Sequence, residues 1–261
     1  MSNLTTLFPS IRKMASSYGL PDKPRAILRE YLQAKALNYL YSQTGSSKLS
    51  FVGGTSLRLL RNLPRFSEDL DFDNLGIDDK KITFLVQNIA DKLNAENIPC
   101  ELKTTIREYK HYYELKFSTL MQELAITTNP REKLMIKIDY SRSWVGQTSE
   151  HILLNRYGVI AQIPTNTINQ LLVQKLTAYA QRATPQQRDI YDIIWLFSQG
   201  ARLDTEFMKI NKIIDLVSQA QKRLKNEGIT RTMKAKLEAF LFGKDELTKL
   251  DLFDVVLSQL G

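Results

Sequence analysis

The stretch FVGGTSLRLLRNLPRFSEDLDFD, residues 51–73, decides how the chain folds and what chemistry it can carry. It places two glycines, three arginines and four carboxylates within one short run. One interpretation is a turn followed by a solvated surface whose charges neutralise one another. The other is a phosphate-binding turn beside a metal site. The secondary structure of each part decides between them.

The first half of this stretch predicts a strand, a tight turn and a helix. The apolar run KLSFV, residues 48–52, is typical of a short buried strand, and TSLRLLRNL, residues 55–63, is typical of a helix. The turn between strand and helix is formed by Gly53, Gly54, Thr55 and Ser56. Its free N–H groups and the helix dipole favour an anion, and paired glycines let a phosphate approach the backbone closely. An ordinary capped turn is the alternative.

The second half predicts paired carboxylates on a strand. Alternate residues of a strand point to the same face, so Asp69 and Asp71 share one face. Leu70 and Phe72 then face the core. Two carboxylates held this close repel each other unless a cation lies between them, and Mg²⁺ binds carboxylates together with substrate phosphates. A strand with a polar outer face is the alternative.

A third carboxylate lies on a later strand candidate, KLMIKIDYS, residues 133–141. Leu134, Ile136 and Ile138 form its apolar face, and Asp139 lies on the opposite face. If this strand neighbours the strand of Asp69 and Asp71, Asp139 joins them and completes a site for two metal ions. A surface aspartate at a strand end is the alternative.

The remaining pattern predicts an α+β fold in which a mixed-sheet domain with flanking helices, residues 1–165, precedes an all-helical domain, residues 166–261. In the first domain, helices are expected at 24–43 and 78–98, and extended runs at 100–109 and 112–118. In the second, Thr184 as N-cap and Pro185 at the first helical position predict where one helix begins. The helices expected there cover residues 167–182, 184–200, 205–225, 230–242 and 245–260.

Composition narrows the classes of partner. Lys and Arg number 36 against 28 acidic residues, which gives a net charge of +8 and favours a polyanion such as RNA. The densest basic run is residues 221–236, for which a solvated helix end is the alternative. A single cysteine and two histidines exclude a Cys/His zinc site. No apolar run reaches the roughly 20 residues of a membrane span, and no secretory pattern is present, so a cytoplasmic protein without a membrane partner is expected.

Two further runs place charged residues on neighbouring helices: KLTAYAQR, residues 175–182, and RDIYD, residues 188–192. Lys175 and Arg182 share one helix face, and Asp189 and Asp192 share a face of the next helix. The basic face suits a nucleotide triphosphate, and the two aspartates are placed to orient the basic side chains by ion pairs. Two surface helices with ordinary ion pairs are the alternative.

Together, GGTSL, RFSEDLDF, KLTAYAQR and RDIYD resemble the motifs of the AbiEii/AbiGii toxin family, which includes the MenT-like toxins, within the DNA polymerase β-like nucleotidyltransferase superfamily. The matching elements run in the family's order from Gly53 to Asp192. The resemblance implies that Lys175 contacts nucleotide phosphates and that Asp189 and Asp192 support or complete the site. Arg65 and Ser67 also match the family pattern, which adds both to the expected phosphate-binding residues, with Arg182.

The combined hypothesis is a metal-dependent nucleotidyltransferase that binds an NTP between the two domains and releases pyrophosphate. Asp69 and Asp71 would bind two Mg²⁺ ions, with Mn²⁺ as a substitute, while Asp139 would bind one ion and act as base. Lys175 and Asp189 would complete the catalytic set. The resemblance implies a bacterial toxin of a toxin–antitoxin or abortive-infection system, with an antitoxin partner and the 3′ end of tRNA as acceptor. Transfer to a protein or small molecule, or a module that binds nucleotide or RNA without turnover, are the alternatives.

Overall fold

The computed structural model describes residues 3–107 and 110–261 of the chain. Glu108 and Tyr109, at the end of the extended run predicted for 100–109, lie outside these residues. The described chain divides into two compact units. The first unit contains the residues up to Leu60 together with Ser67–Arg142 and His151–Thr165. The second contains Arg61–Phe66, Ser143–Glu150 and Asn166–Gly261.

The first unit is built on a five-stranded mixed sheet. Its strands are β1 (Leu49–Val52), β2 (Leu70–Asn74), β3 (Glu101–Arg107), β4 (Lys110–Phe117) and β5 (Leu134–Ser141). They are ordered β1-β2-β5-β4-β3, and the β2–β5 pair is parallel while the other pairs are antiparallel. The parallel pair brings together strands that are distant in sequence, because β2 and β5 flank the whole β3–β4 hairpin along the chain.

Helices cover one face of this sheet and leave the other face to polar residues. The helices are α1 (Leu4–Ser17), α2 (Pro24–Tyr41), α3 (Gly53–Arg61), α4 (Asp79–Ala95) and the short α5 (Leu120–Glu123). Helix α2 packs on β5, and α4 packs on β3 and β4. Along β5, buried Leu134, Ile136 and Ile138 alternate with more exposed residues, as the sequence predicts. The sheet therefore has a core face and an accessible face.

A two-stranded hairpin follows the five-stranded sheet along the chain, and the sequence-based prediction missed it. It consists of β6 (Ser149–Arg156) and β7 (Val159–Asn166). Tyr157 and Gly158 connect the strands with φ values of 54° and 75°, which matches the left-handed geometry that tight hairpin turns favour. Gly158, which adopts a positive φ without steric cost, is the sequence signal for this turn.

From Ile168 onward the second unit is helical, which confirms the α+β class. Its helices are α6 (Ile168–Gln181), α7 (Gln187–Ser198), α8 (Thr205–Ile210), α9 (Leu216–Glu227), α10 (Arg231–Glu238), a 3₁₀ helix (Lys244–Leu252) and α11 (Phe253–Leu260). No helix in the described ranges is both long and apolar enough to cross a membrane.

Two helix boundaries in this unit differ from the prediction. Helix α7 begins at Gln187, not at Thr184, because Gln186 has an extended backbone and stands at the N-cap without a side-chain bond. The single helix predicted for 205–225 is two helices, because Lys212 and Asp215 adopt left-handed φ values of 56° and 51° that end one helix before the next begins.

Candidate functional site

The parallel pairing of β2 and β5 brings the predicted carboxylates together. Asp71 and Asp139 are direct register partners on adjacent strands, and both are half-buried on the accessible face. Asp69 directly precedes β2 and, two residues before Asp71, lies toward the same face. The strand of Asp139 thus neighbours the strand of Asp71. This was the condition for Asp139 to join the other two carboxylates.

The glycine turn lies directly against one of these carboxylates. Helix α3 begins at Gly53, immediately after β1 ends at Val52, so the predicted strand–turn–helix order is present. Gly53 has a φ of 76°, and a Cβ built on it would lie 2.3 Å from Oδ2 of Asp71. Only a residue without a side chain allows the carboxylate this position. The free N–H groups at the start of α3 therefore adjoin the Asp71 carboxylate.

Thr55 and Ser56 hold this turn through their hydroxyl groups. Both side chains are buried. Thr55 Oγ1 donates a hydrogen bond to the carbonyl of Asp69, and Ser56 Oγ donates one to the carbonyl of Gly53 at 3.0 Å. The first bond ties the turn to the residue that starts the carboxylate pair. Because both hydroxyl protons are used within the protein, the groups left to contact a phosphate at this turn are backbone N–H groups.

The segment leading to Asp69 is fixed by helix α2. Gln33 Nε2 donates hydrogen bonds to the carbonyls of Ser67 and Glu68 at 3.3 and 2.8 Å. Arg29 Nη1 donates to Glu68 Oε1 at 2.7 Å. Burial lowers the pKa of Arg29, and the charge of Glu68 acts in the opposite direction. Through its ion pair with Arg29, Glu68 helps to fix the segment that leads to Asp69.

Arg58 and Arg61, the two arginines of α3, follow the glycine turn along the chain, and their side chains are turned away from solvent. Arg58 is 2% exposed, and its guanidinium donates to both carboxylate oxygens of Glu30 on α2 at 2.8 and 3.2 Å. Arg61, in the second unit, pairs with Glu150 and donates to the carbonyl of Asn166. The ion pair of Arg58 with Glu30 fixes α3, the helix that follows the glycine turn, to α2, so the charge of Arg58 has a structural role.

A cavity of about 240 Å³ lies on the accessible face of the sheet beside the carboxylates. Its lining residues are Asp69, Asp71, Thr105, Tyr112, Tyr113, Glu114, Lys137, Ile138 and Asp139. The wall formed by β3 and β4 was not predicted as part of the site. Strand alternation in YYELKFS and KLMIKIDYS is the signal for it, because Glu114 and Lys137 are cross-strand partners on the face of Asp139.

The three carboxylates fit a divalent cation by their chemistry, since Mg²⁺ prefers hard carboxylate oxygens. Within residues 3–107 and 110–261, however, no three His, Cys, Asp or Glu side chains are close enough to form a ready ion-binding group. Asp69, Asp71 and Asp139 nevertheless share the lining of one cavity. The three aspartates therefore fit a divalent cation by the type of their ligand atoms and by their shared position at the cavity. They stay predicted metal ligands.

A second group of predicted site residues forms a charged cluster within the helical unit. Lys175 Nζ lies 3.1 Å from Asp189 Oδ1 and 2.9 Å from Asp192 Oδ2, and Arg182 Nη1 lies 2.7 Å from Asp189 Oδ2. Burial would lower the pKa of Lys175, but the charges of Asp192 and Asp189 outweigh it and raise the pKa. The ion pairs predicted between the two motif helices are thus present, and Lys175 is a charged ammonium.

Arg65 completes this cluster in a way the sequence did not predict. Its guanidinium donates to both oxygens of Asp192 at 2.7 and 2.6 Å and to the carbonyl of Phe66 at 2.9 Å. Arg65 is 1% exposed, and the Asp192 side chain is fully buried. Burial would raise the pKa of Asp192, but the charges of Arg65 and Lys175 outweigh it and lower the pKa. This placement favours a structural role for Arg65 over its predicted contact with phosphate, and for Asp192 it favours the predicted role of supporting the site.

Comparison with solved structures identifies proteins of similar fold. JHP933 from Helicobacter pylori has a similar structure, with a TM-score of 0.57 and 16% identity over 92% of this chain and 94% of that protein. A candidate nucleotidyltransferase from H. pylori gives a TM-score of 0.57 and 17% identity over 91% of this chain and 97% of that protein. At these identities the similarity shows the fold, and no curated protein sequence matches significantly.

The profile of one protein family matches nearly the whole chain, residues 35–257. The family is described as nucleotidyl transferase AbiEii toxin, of type IV toxin–antitoxin systems. The match includes the glycine turn, the three carboxylates and both charged helices. The chain therefore belongs to the AbiEii family of nucleotidyltransferase toxins.

Proposed function

We propose that the protein transfers a nucleoside monophosphate from an NTP to a hydroxyl at the 3′ end of an RNA, with tRNA as the expected class, in a reaction that requires Mg²⁺. The observation that carries this proposal is the register pair Asp71–Asp139 beside the N-terminus of α3. That arrangement sets an anion-binding turn and carboxylates side by side, as a reaction at a nucleotide's α-phosphorus requires.

In this reaction the acceptor oxygen forms a bond to the α-phosphorus while the bond from the α-phosphorus to the β-phosphate oxygen breaks. Pyrophosphate leaves with that oxygen, and the acceptor proton passes to the carboxylate of Asp139. Asp69 and Asp71 would hold divalent ions, which supply charge stabilisation for the phosphates. The backbone N–H groups of Gly54, Thr55 and Ser56 would bind the departing phosphates.

Lys175 retains its predicted contact with nucleotide phosphate as part of the proposal. An ammonium group has three N–H donors, and Asp189 and Asp192 each accept from Lys175. The raised pKa keeps the group charged at neutral pH, which phosphate binding requires. The two aspartates would then position the lysine.

RNA is the favoured acceptor because the chain carries a net charge of +8, which suits a polyanion. Since NTPs and RNA are found in the cytoplasm, we expect the toxin to act there. The toxin–antitoxin character of the family leads us to expect a cognate antitoxin as partner.

The test is to incubate the protein with Mg²⁺, each α-labelled NTP in turn, and total cellular RNA or lysate. We expect label in RNA, lost on chelation of the metal and reduced at least about 100-fold in Asp71→Asn and Asp139→Asn. Asp22→Asn, at an exposed carboxylate paired with Arg12, is the control that should retain activity. Label in protein or a small molecule would overturn the RNA acceptor. Absence of label with all four nucleotides would refute nucleotidyl transfer.

A further inference from the structure

The accessible face of the sheet continues beyond the carboxylates onto a tyrosine. The last β4–β5 register pair is Tyr113 with Ile138, so Tyr112 is the next residue of β4 on the side of Asp139. Tyr112 pairs with Thr105 of β3, and both residues line the same cavity as Asp139. Adjacent strands lie about 4.8 Å apart, which puts the Tyr112 backbone about one strand spacing from Asp139 and two from Asp71.

Tyr112 differs from its neighbour Tyr113, which belongs to the core. Tyr113 is 1% exposed, and its hydroxyl lies 2.8 Å from Thr83 Oγ1 on α4. Tyr112 is 37% exposed, points to the opposite face and contributes to the cavity. Tyr113 therefore contributes to the core, whereas the ring of Tyr112 is accessible to a ligand in the cavity.

The direction of the reaction determines which ligand reaches this ring. The glycine turn lies on the β1 side of Asp71, whereas Tyr112 lies on the far side of Asp139. In phosphoryl transfer the attacking and leaving oxygens are roughly in line with the phosphorus. Because pyrophosphate leaves toward the glycine turn, the acceptor hydroxyl must approach from the opposite side, over β5 and β4.

We propose that Tyr112 binds the acceptor by stacking on the terminal base of the RNA 3′ end, and so places its hydroxyl beside Asp139. This inference rests on the proposed function. A cavity of about 240 Å³ is smaller than the pockets that enclose whole drug-sized ligands, and it suits one terminal group of a larger acceptor. An aromatic face stacks on any base, so Tyr112 contributes affinity and orientation without reading sequence.

The test is a steady-state analysis of nucleotide transfer to RNA by the full chain and its Tyr112→Ala and Tyr112→Phe variants. We expect Tyr112→Ala to raise KM for RNA about tenfold and to leave KM for NTP unchanged, because stacking on the acceptor is lost. Tyr112→Phe keeps the ring and should behave as the original chain. Ile106→Ala is a matched control, because Ile106 is 66% exposed on the same hairpin but lies on the other face.

An RNA that ends in an abasic ribose separates stacking from a merely structural role. The original chain should use this RNA about as poorly as Tyr112→Ala uses intact RNA, and the variant should lose little more on it. An unchanged KM for RNA in a folded Tyr112→Ala protein would overturn the inference, as would a raised KM for NTP alone. If the original chain transfers nucleotide to no RNA, the proposed function fails first, and that outcome is distinct from a failure of Tyr112.

Discussion

Replacing Gly53 with alanine tests the link between the glycine turn and the carboxylates. The φ of 76° imposes a backbone cost of about 1–2 kcal/mol on any residue with a Cβ. The new Cβ would also lie 2.3 Å from Oδ2 of Asp71, well inside the 3.0 Å that real Cβ contacts respect. The carboxylate must therefore retreat by about 0.7 Å. Since a misplacement of about 1 Å can cost about 100-fold in rate, we expect a loss of that order in nucleotide transfer.

Gly19→Ala is the matched control, because Gly19 has a φ of 74° and no atom within 4 Å of the added Cβ. In urea denaturation Gly19→Ala should lose about 1–2 kcal/mol of unfolding free energy, and Gly53→Ala should lose at least as much, because it shares the backbone cost and adds the contact with Asp71. Only Gly53→Ala should lose transfer of labelled nucleotide. Equal activity of the two variants would refute the claim that Asp71 needs the space beside Gly53.

Three further predictions concern buried charges. Arg65→Met leaves the buried carboxylate of Asp192 without its guanidinium partner, and we expect the unfolding free energy to fall by about 3 kcal/mol. Arg12→Ala, at an exposed pair, should cost less than about 1 kcal/mol in the same urea titration, and equal losses would contradict the reasoning. Because the pKa of Asp192 is lowered in the folded state, its pairing stabilises the protein fully above the ordinary value of about 3.9 and is lost as the pH falls through the lower folded pKa. Unfolding followed from pH 7 to pH 2 should therefore show a shallower acid decline in Asp192→Asn, and identical curves would exclude this linkage. Glu30→Gln should destabilise the first unit by leaving the Arg58 guanidinium buried without a counter-charge, and Arg58→Met in the same chain should recover part of the loss in thermal unfolding.

The central site could be predicted because its signals are local. The turn at Gly53 follows from a short apolar run before a helical pattern, and the shared face of Asp69 and Asp71 follows from strand alternation alone. Whether Asp139 joins Asp69 and Asp71 depended on the order of the strands in the sheet, which local sequence patterns do not encode. The parallel β2–β5 pairing supplied that missing step.

Buried arginines could not be placed from the sequence, because the residues that neutralise them are distant along the chain. Arg58 pairs with Glu30 and Arg65 pairs with Asp192, each from another element. A charged residue at helical spacing has the same local pattern whether it meets solvent or a buried carboxylate. Tyr112 was missed for a related reason, since only the register of β3, β4 and β5 shows which tyrosine of the pair faces the cavity.

The parallel pairing of β2 with β5 also determines when, during synthesis of the chain, the candidate site can assemble. Asp71 and Asp139 are 68 positions apart (139 − 71), and their strands join only after the intervening hairpin has been synthesised. Such non-local pairing is slow to form compared with local helices. A nascent chain that ends before β5 carries the glycine turn and two carboxylates but lacks the strand that brings the third. The candidate site can therefore assemble only after translation has passed residue 141 and the sheet has closed.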